Sequence, residues 1–264
     1  MLTGRYLEHM TPYVLIIIFC AILPAFLLVA FIYYKDRNHP EPLSMMVKGV
    51  WYGIMSIALT ILFSALLAPF QTTIFNGNGV LKGIYTAFYN AALPEETAKL
   101  IMLWLLLKNN PYFDERFDGI VYAVCVGMGF AGIENIQYLF ASGDAFLGTA
   151  VTRAIFAVPG HYAFAVMMGF FYSLVHFDKE KYGKYKWLIW FVPFMMHGIY
   201  DSICFAMEAL PGAANIIAIG LYYFCYKMQK ICMNRIELIQ TQDKNIEDIK
   251  IFTEAMKRNI DNSY

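Results

Sequence analysis

Residues 84–107 read IYTAFYNAALPEETAKLIMLWLLL. As a helix the stretch is long enough to cross a bilayer, which needs about 20 apolar residues. Yet it holds Pro94, Glu95, Glu96 and Lys99 near its middle. An ionisable side chain there costs about 2.5–3.5 kcal/mol on insertion scales unless it is paired or hydrated. The group must therefore face the interior of a helical bundle. Positions three and four apart are neighbours on a helix, so Glu95 and Glu96 both reach Lys99. Pro94, directly before them, loosens the turn, frees backbone carbonyls and makes room for water.

Outward from this stretch the chain has the same character. Of its 264 residues 59% are hydrophobic and 15% charged, and the mean hydropathy is +0.50, far too apolar for a soluble domain of this size. The composition predicts an all-α, polytopic transmembrane bundle of about seven spans. They fall near Tyr13–Tyr34, Met46–Phe70, Ile84–Leu107, Gly119–Ala141, Thr149–Val175, Trp187–Met207 and Ala213–Met228. The first is followed by Lys35-Asp36-Arg37, not by a small-residue cleavage site, and is expected to be retained. Lys35/Arg37, Lys108/Arg116, the lysines at 179, 181, 184 and 186, and Lys227/Lys230/Arg235 follow alternate spans, whereas the other connections hold only Arg5 and Lys82. By the positive-inside rule the basic loops are cytoplasmic, the N-terminus outside and the C-terminus inside. Residues 1–228 then form a transmembrane domain with its core at 84–207. Residues 229–264 form a cytoplasmic amphipathic helix with Ile239, Ile246, Ile249, Phe252, Met256 and Ile260 at helical spacing, which lies on the membrane or packs on the basic loops. A net charge of zero gives no argument for nucleic acid. The partners expected are the lipid bilayer and a single-span membrane protein. The five cysteines lack CxxC spacing and are read as small hydrophobes.

Three further spans carry polar residues: Phe130, Glu134 and Asn135 in GFAGIEN; Arg153 and His161; and His197 and Asp201 in HGIYD. Each set shares a helix face, and running the spans in their assigned directions brings the sets into one layer. Glu95, Glu96, Glu134 and Asp201 against Lys99 and Arg153 leave two negative charges with neutral histidines. A dry site tolerates that only if a divalent cation binds or about two carboxyls carry a proton. Either arrangement suits hydrolysis.

Taken in order, EExxK (Glu95, Glu96, Lys99), FxxxE within GFAGIEN, an Arg-to-His segment (Arg153, His161) and HGxYD (His197, Asp201) resemble the PrsW family of bacterial intramembrane proteases, related to the CAAX prenyl proteases. The resembling stretch runs from about Pro94 to Asp201. It departs from the CAAX relatives, which carry His at the position of Glu134 and Arg at that of Lys99. The resemblance implies site-1 cleavage of a single-span anti-sigma factor on the outer side of the membrane, releasing an extracytoplasmic-function sigma factor. Glu95, Glu96, Glu134, His161, His197 and Asp201 are then the candidate catalytic set, with Lys99, Asn135 and Arg153 supporting them. Glu95 or Glu96 would activate a water. His161, His197, Glu96 and Glu134 are candidate ligands for zinc or another divalent metal, so a zinc protease and a metal-free glutamate protease both stay open.

Competing readings attach to the same residues. Glu, His and Asp in membranes also build proton-coupled transporters and ion channels, and a protease-like core can persist in a non-catalytic scaffold. One compact cluster with no polar ladder to either surface favours a reaction chamber. Phe130 reads as packing, His39 and His176 as solvated loop residues, and Arg153 either as part of the site or as snorkelling to the interface. Gly49/Gly53 and Gly127/Ala131 read as close helix packing.

Overall fold

The computed structural model describes residues 2–71 and 79–261, with backbone only for residues 2–11, 71, 250 and 255–261. Residues 72–78 and the side chains of Arg5, Met256 and Ile260 lie outside the described set. Among the described residues the chain is all helical: α1 (Leu2–Lys35), α2 (Leu43–Gln71), α3 (Val80–Tyr85), α4 (Leu93–Leu107), α5 (Arg116–Ala141), α6 (Phe146–Thr152), α7 (Val158–Phe177), α8 (Lys179–Tyr182), α9 (Leu188–Ala209) and α10 (Ala214–Asp261), with short 3-10 turns between some of them. Among the described residues five stretches are long and apolar enough to cross a membrane: Pro12–Lys35, Leu43–Phe70, Arg116–Ala141, Gly143–Phe177 and Leu188–Ala209. The multi-pass character expected from composition stands on these.

Two π-helical segments interrupt the site-bearing helices. Thr86–Ala92 joins α3 to α4, and Arg153–Ala157 joins α6 to α7. Each ends just before a proline in the first turn of the next helix, Pro94 and Pro159. A proline has no N–H for the carbonyl four residues back, and its ring clashes with that carbonyl; a widened turn relieves both. The polar side chains Glu95, Glu96 and His161 emerge within two residues of these prolines.

Burial sorts the spans into layers. In α5 83% of the span window is buried and in the α6–α7 stretch 72%, against 22% in α1, 11% in α2 and 22% in α9. The outer helices turn Phe19, Phe26, Trp51, Ile61 and Leu66 outward, as lipid contact requires. α2 crosses α5 where a Cβ at Gly53 would overlap the Val126 carbonyl and one at Gly129 would overlap that of Val50. Only glycine permits that approach, and it draws α5 into the centre.

α10 runs unbroken through 48 residues, roughly 70 Å at 1.5 Å per residue, more than twice the hydrocarbon thickness. Its middle packs on the bundle: Met228, Cys232, Ile236 and Ile239 are buried, and Gln240 Nε2 donates to the Lys35 carbonyl at 2.7 Å. Asp243 accepts the Arg116 and Phe117 backbone N–H groups at 3.3 and 2.9 Å, capping α5 beside the Glu115/Asp118 capping box. Arg116 reaches Asp178, and His39 reaches Glu115 and Glu247. The turn after α1, the start of α5, the end of α7 and the second half of α10 therefore meet at one end of the bundle. The tail contacts these loops as far as Glu247, leaving Ile249 and Phe252 exposed beyond it.

Candidate active site

All the polar residues singled out in the four spans converge. Glu96 is fully buried, and its Oε1 accepts from Lys99 Nζ at 2.6 Å and lies 2.8 Å from His197 Nδ1. The other ring nitrogen of His197 lies 3.2 Å from Asp201 Oδ2 and 3.9 Å from Glu95 Oε2. Both imidazole nitrogens of His197 thus face carboxylates, an arrangement satisfied when the ring carries both protons. Lys99 Nζ also lies 3.5 Å from Glu95 Oε2 and 3.2 Å from His161 Nδ1, with the Phe130 ring centroid 4.2 Å away.

A second limb runs outward from His161. Its Nε2 is 2.8 Å from Glu134 Oε2, which also accepts from the Arg153 guanidinium at 2.5 Å. Arg153 Nε donates to Asn135 Oδ1 at 2.6 Å, and Asn135 Nδ2 donates to the Ala21 carbonyl of α1 at 3.1 Å. Arg153 is held in the site and does not simply snorkel. Phe130, read from sequence as packing, also provides a cation–π face to Lys99.

Exposure gives the cluster a direction. The side chains of Glu96, Lys99, His161 and His197 are 0–5% exposed, whereas those of Glu95, Arg153, Glu134 and Asp201 are 12–21% exposed. Glu95 and Asp201 are the accessible carboxylates beside His197, and Glu96 is the enclosed one.

Some contacts were not read from the sequence. Tyr138 lies under Arg153, 3.9 Å from guanidinium carbon to ring centroid, and Phe164 stacks on His197 at 4.9 Å. Each stands one helical turn from a singled-out residue, Glu134 and His161 respectively, and that spacing was the available signal. Trp190 donates its indole N–H to the Thr97 hydroxyl at 3.0 Å, tying α9 to α4.

Among the described residues Glu95, Glu96, His161 and His197 can each offer one ligand atom, all within 4.8 Å of one another. Two imidazoles and two carboxylates suit a divalent cation, and Glu96 Oε2 is buried without a hydrogen-bond partner. Glu134, expected among the ligands, is not one of these four; its Oε2 accepts from Arg153 and faces His161 Nε2. Glu95 takes its place.

The family model described as "PrsW family intramembrane metalloprotease" matches residues 41–228. The chain belongs to the PrsW family. It is 31% identical over 215 residues to the Protease PrsW of Geobacillus kaustophilus, covering 81% of this chain and 91% of that protein. Against the Protease PrsW of Clostridioides difficile it is 35% identical over 186 residues, 69% of this chain and 76% of the other. The Protease PrsW of Bacillus subtilis is 32% identical over 194 residues, 73% and 84% of the two chains. No solved structure matches the chain. As a PrsW-family member with several apolar spanning helices, it is a multi-pass bacterial membrane protein and an intramembrane protease.

Proposed function

We propose that this protease performs site-1 cleavage of a single-span anti-sigma factor on the outer side of the membrane, activating an extracytoplasmic-function sigma factor. The observation that carries the hydrolytic reading is the contrast between the two adjacent glutamates. Glu96 is enclosed and its Oε1 is taken by Lys99 and His197, while Glu95 is partly open and its nearest partners stand 3.5 and 3.9 Å away. Glu95 is the general base, and Glu96 anchors Lys99 and His197.

Glu95 Oε2 and His197 Nε2, 3.9 Å apart, are the two atoms that would hold the attacking water. Glu95 takes its proton as the water oxygen bonds to the scissile carbonyl carbon. It returns that proton to the amide nitrogen as the C–N bond breaks, so a single carboxyl serves as base and then acid. The His197 N–H beside Glu95 is the donor placed to stabilise the developing oxyanion, and the Lys99 ammonium, its own N–H groups taken by Glu95, Glu96 and His161, contributes its positive charge at short range. Asp201 orients His197, and Glu134, held by Arg153 and Asn135, orients His161. Glu95, Glu96, His161 and His197 would hold a zinc or other divalent ion, and the chemistry it would supply there is a more acidic water and a polarised carbonyl.

The seven-span arrangement with the N-terminus outside and the C-terminus cytoplasmic belongs to the same reading. Residues 1–228 act as the protease domain, with the core at 84–207, and residues 229–264 as its cytoplasmic extension. Meeting of the basic connections after α1, before α5 and after α7 with α10 at one end of the bundle supports this orientation.

Co-expression with a single-span anti-sigma factor tests the proposal. Glu95→Gln, Glu96→Gln and His197→Ala are each expected to abolish its cleavage while the protease still accumulates in the membrane. Cleavage at the wild-type level in all three would refute it.

A further inference from the structure

The ammonium of Lys99 stands where a metal would have to stand. It is 2.6 Å from Glu96 Oε1, 3.2 Å from His161 Nδ1 and 3.5 Å from Glu95 Oε2, and these three residues belong to the four whose atoms converge closely enough to hold an ion. An ammonium has three N–H groups and no acceptor, so three acceptors saturate it. Its side chain is 4% exposed, and the Phe130 ring at 4.2 Å covers it. Water has little access to replace a lost bond.

The geometry also fixes the tautomer of His161. Lys99 only donates, so Nδ1 is the accepting, unprotonated nitrogen, and the proton sits on Nε2, which donates to Glu134 Oε2 at 2.8 Å. While Lys99 stays, neither nitrogen of His161 has a lone pair free for a metal. A divalent ion would also lie within a few ångströms of the ammonium in a site with little water to screen the repulsion.

We propose that the Lys99 ammonium and a divalent cation are alternative occupants of one site, and that Lys99 is the residue that sets the affinity of this protease for metal. The side chain is then a built-in cation: it offsets one of the two negative charges of Glu95 and Glu96, and it must leave its three acceptors before an ion of the zinc class can use them. This deepens the hydrolytic reading of the same site and rests on it for its catalytic meaning, but its test reads binding and not cleavage, so the two can fail separately.

The test is equilibrium dialysis of the purified, detergent-solubilised full chain against Co2+, with binding followed by metal content and by the visible spectrum of the ion. Lys99→Met keeps the length of the side chain and removes the charge; Lys99→Gln is a second neutral variant. Both are expected to bind one equivalent at least about tenfold more tightly than wild type. Lys99→Arg, which keeps the charge, should bind no more tightly than wild type, and adding His197→Ala to Lys99→Met should remove the gain. Equal or weaker binding in the neutral variants overturns the proposal. Should neither accumulate, the wild type decides: one equivalent of Co2+ that survives dialysis overturns it, and failure to retain the ion supports it.

Discussion

The protein carries two ionic clusters built from the same residue types, one inside the bundle around Lys99 and Glu96 and one at its end around Arg116 and His39. In the first, Glu96 is 0% and Lys99 4% exposed; in the second, His39 and Glu247 are 46% and 48% exposed. Buried charges without partners are strongly destabilising, whereas exposed pairs contribute little. The inner cluster must therefore stay fully paired, and its remaining open edge, at Glu95 and Asp201, is where chemistry can enter. The outer cluster only fastens elements together: a loop, two helix ends and the second half of α10.

The largest effect is expected at Glu96. Glu96→Ala leaves Lys99 and His197 without their principal partner and should lower stability by about 3–5 kcal/mol, read by thermal unfolding in detergent; an unchanged melting curve would mean the inner cluster is not a paired unit. Next comes Asp36, in the turn after α1. It is buried, and its carboxylate accepts the Glu41 N–H at 3.0 Å. Burial, aided by the nearby Glu41 and Glu115 charges, pushes its pKa up to about 7. Between about pH 4 and pH 7 the folded form holds a proton that the unfolded chain has released, so stability falls as pH rises through that window. Asp36→Asn should flatten this dependence, with a gain on the order of 2 kcal/mol at pH 8; melting curves at pH 5 and pH 8 that stay parallel to wild type would contradict it. Asp243→Ala removes the cap that α10 places on α5 and should cost about 1 kcal/mol. The smallest change is expected from His39→Ala, at most about 0.5 kcal/mol, and a larger loss would show that the outer cluster is more than a fastening.

Much of the site was legible because charge in an apolar run is costly, which makes Glu95, Glu96, Lys99, Glu134, Arg153, His161, His197 and Asp201 conspicuous. Helical spacing then paired them within each span. Pro94 signalled a disturbed turn, though not that both it and Pro159 would be preceded by π segments. What stayed hidden depends on distant parts of the chain. Asn135 bonds a backbone carbonyl of α1, and no side chain there announces it. Asp243 caps a helix more than a hundred residues earlier. Its charge looked like one more solvated residue in a polar tail, and the continuity of α10 across the change in composition at 228/229 was equally silent. The pairing of Glu134 with Arg153 was likewise hidden, because the guanidinium comes from another helix.

Glu95 is proposed as the base beside an enclosed Glu96. The most direct test of that role is the single-turnover cleavage rate of a single-span substrate by the purified protease in detergent, wild type against Glu95→Gln. Loss of at least about a hundredfold with an unchanged melting temperature is the predicted result. Cleavage by Glu95→Gln at the wild-type rate would contradict it.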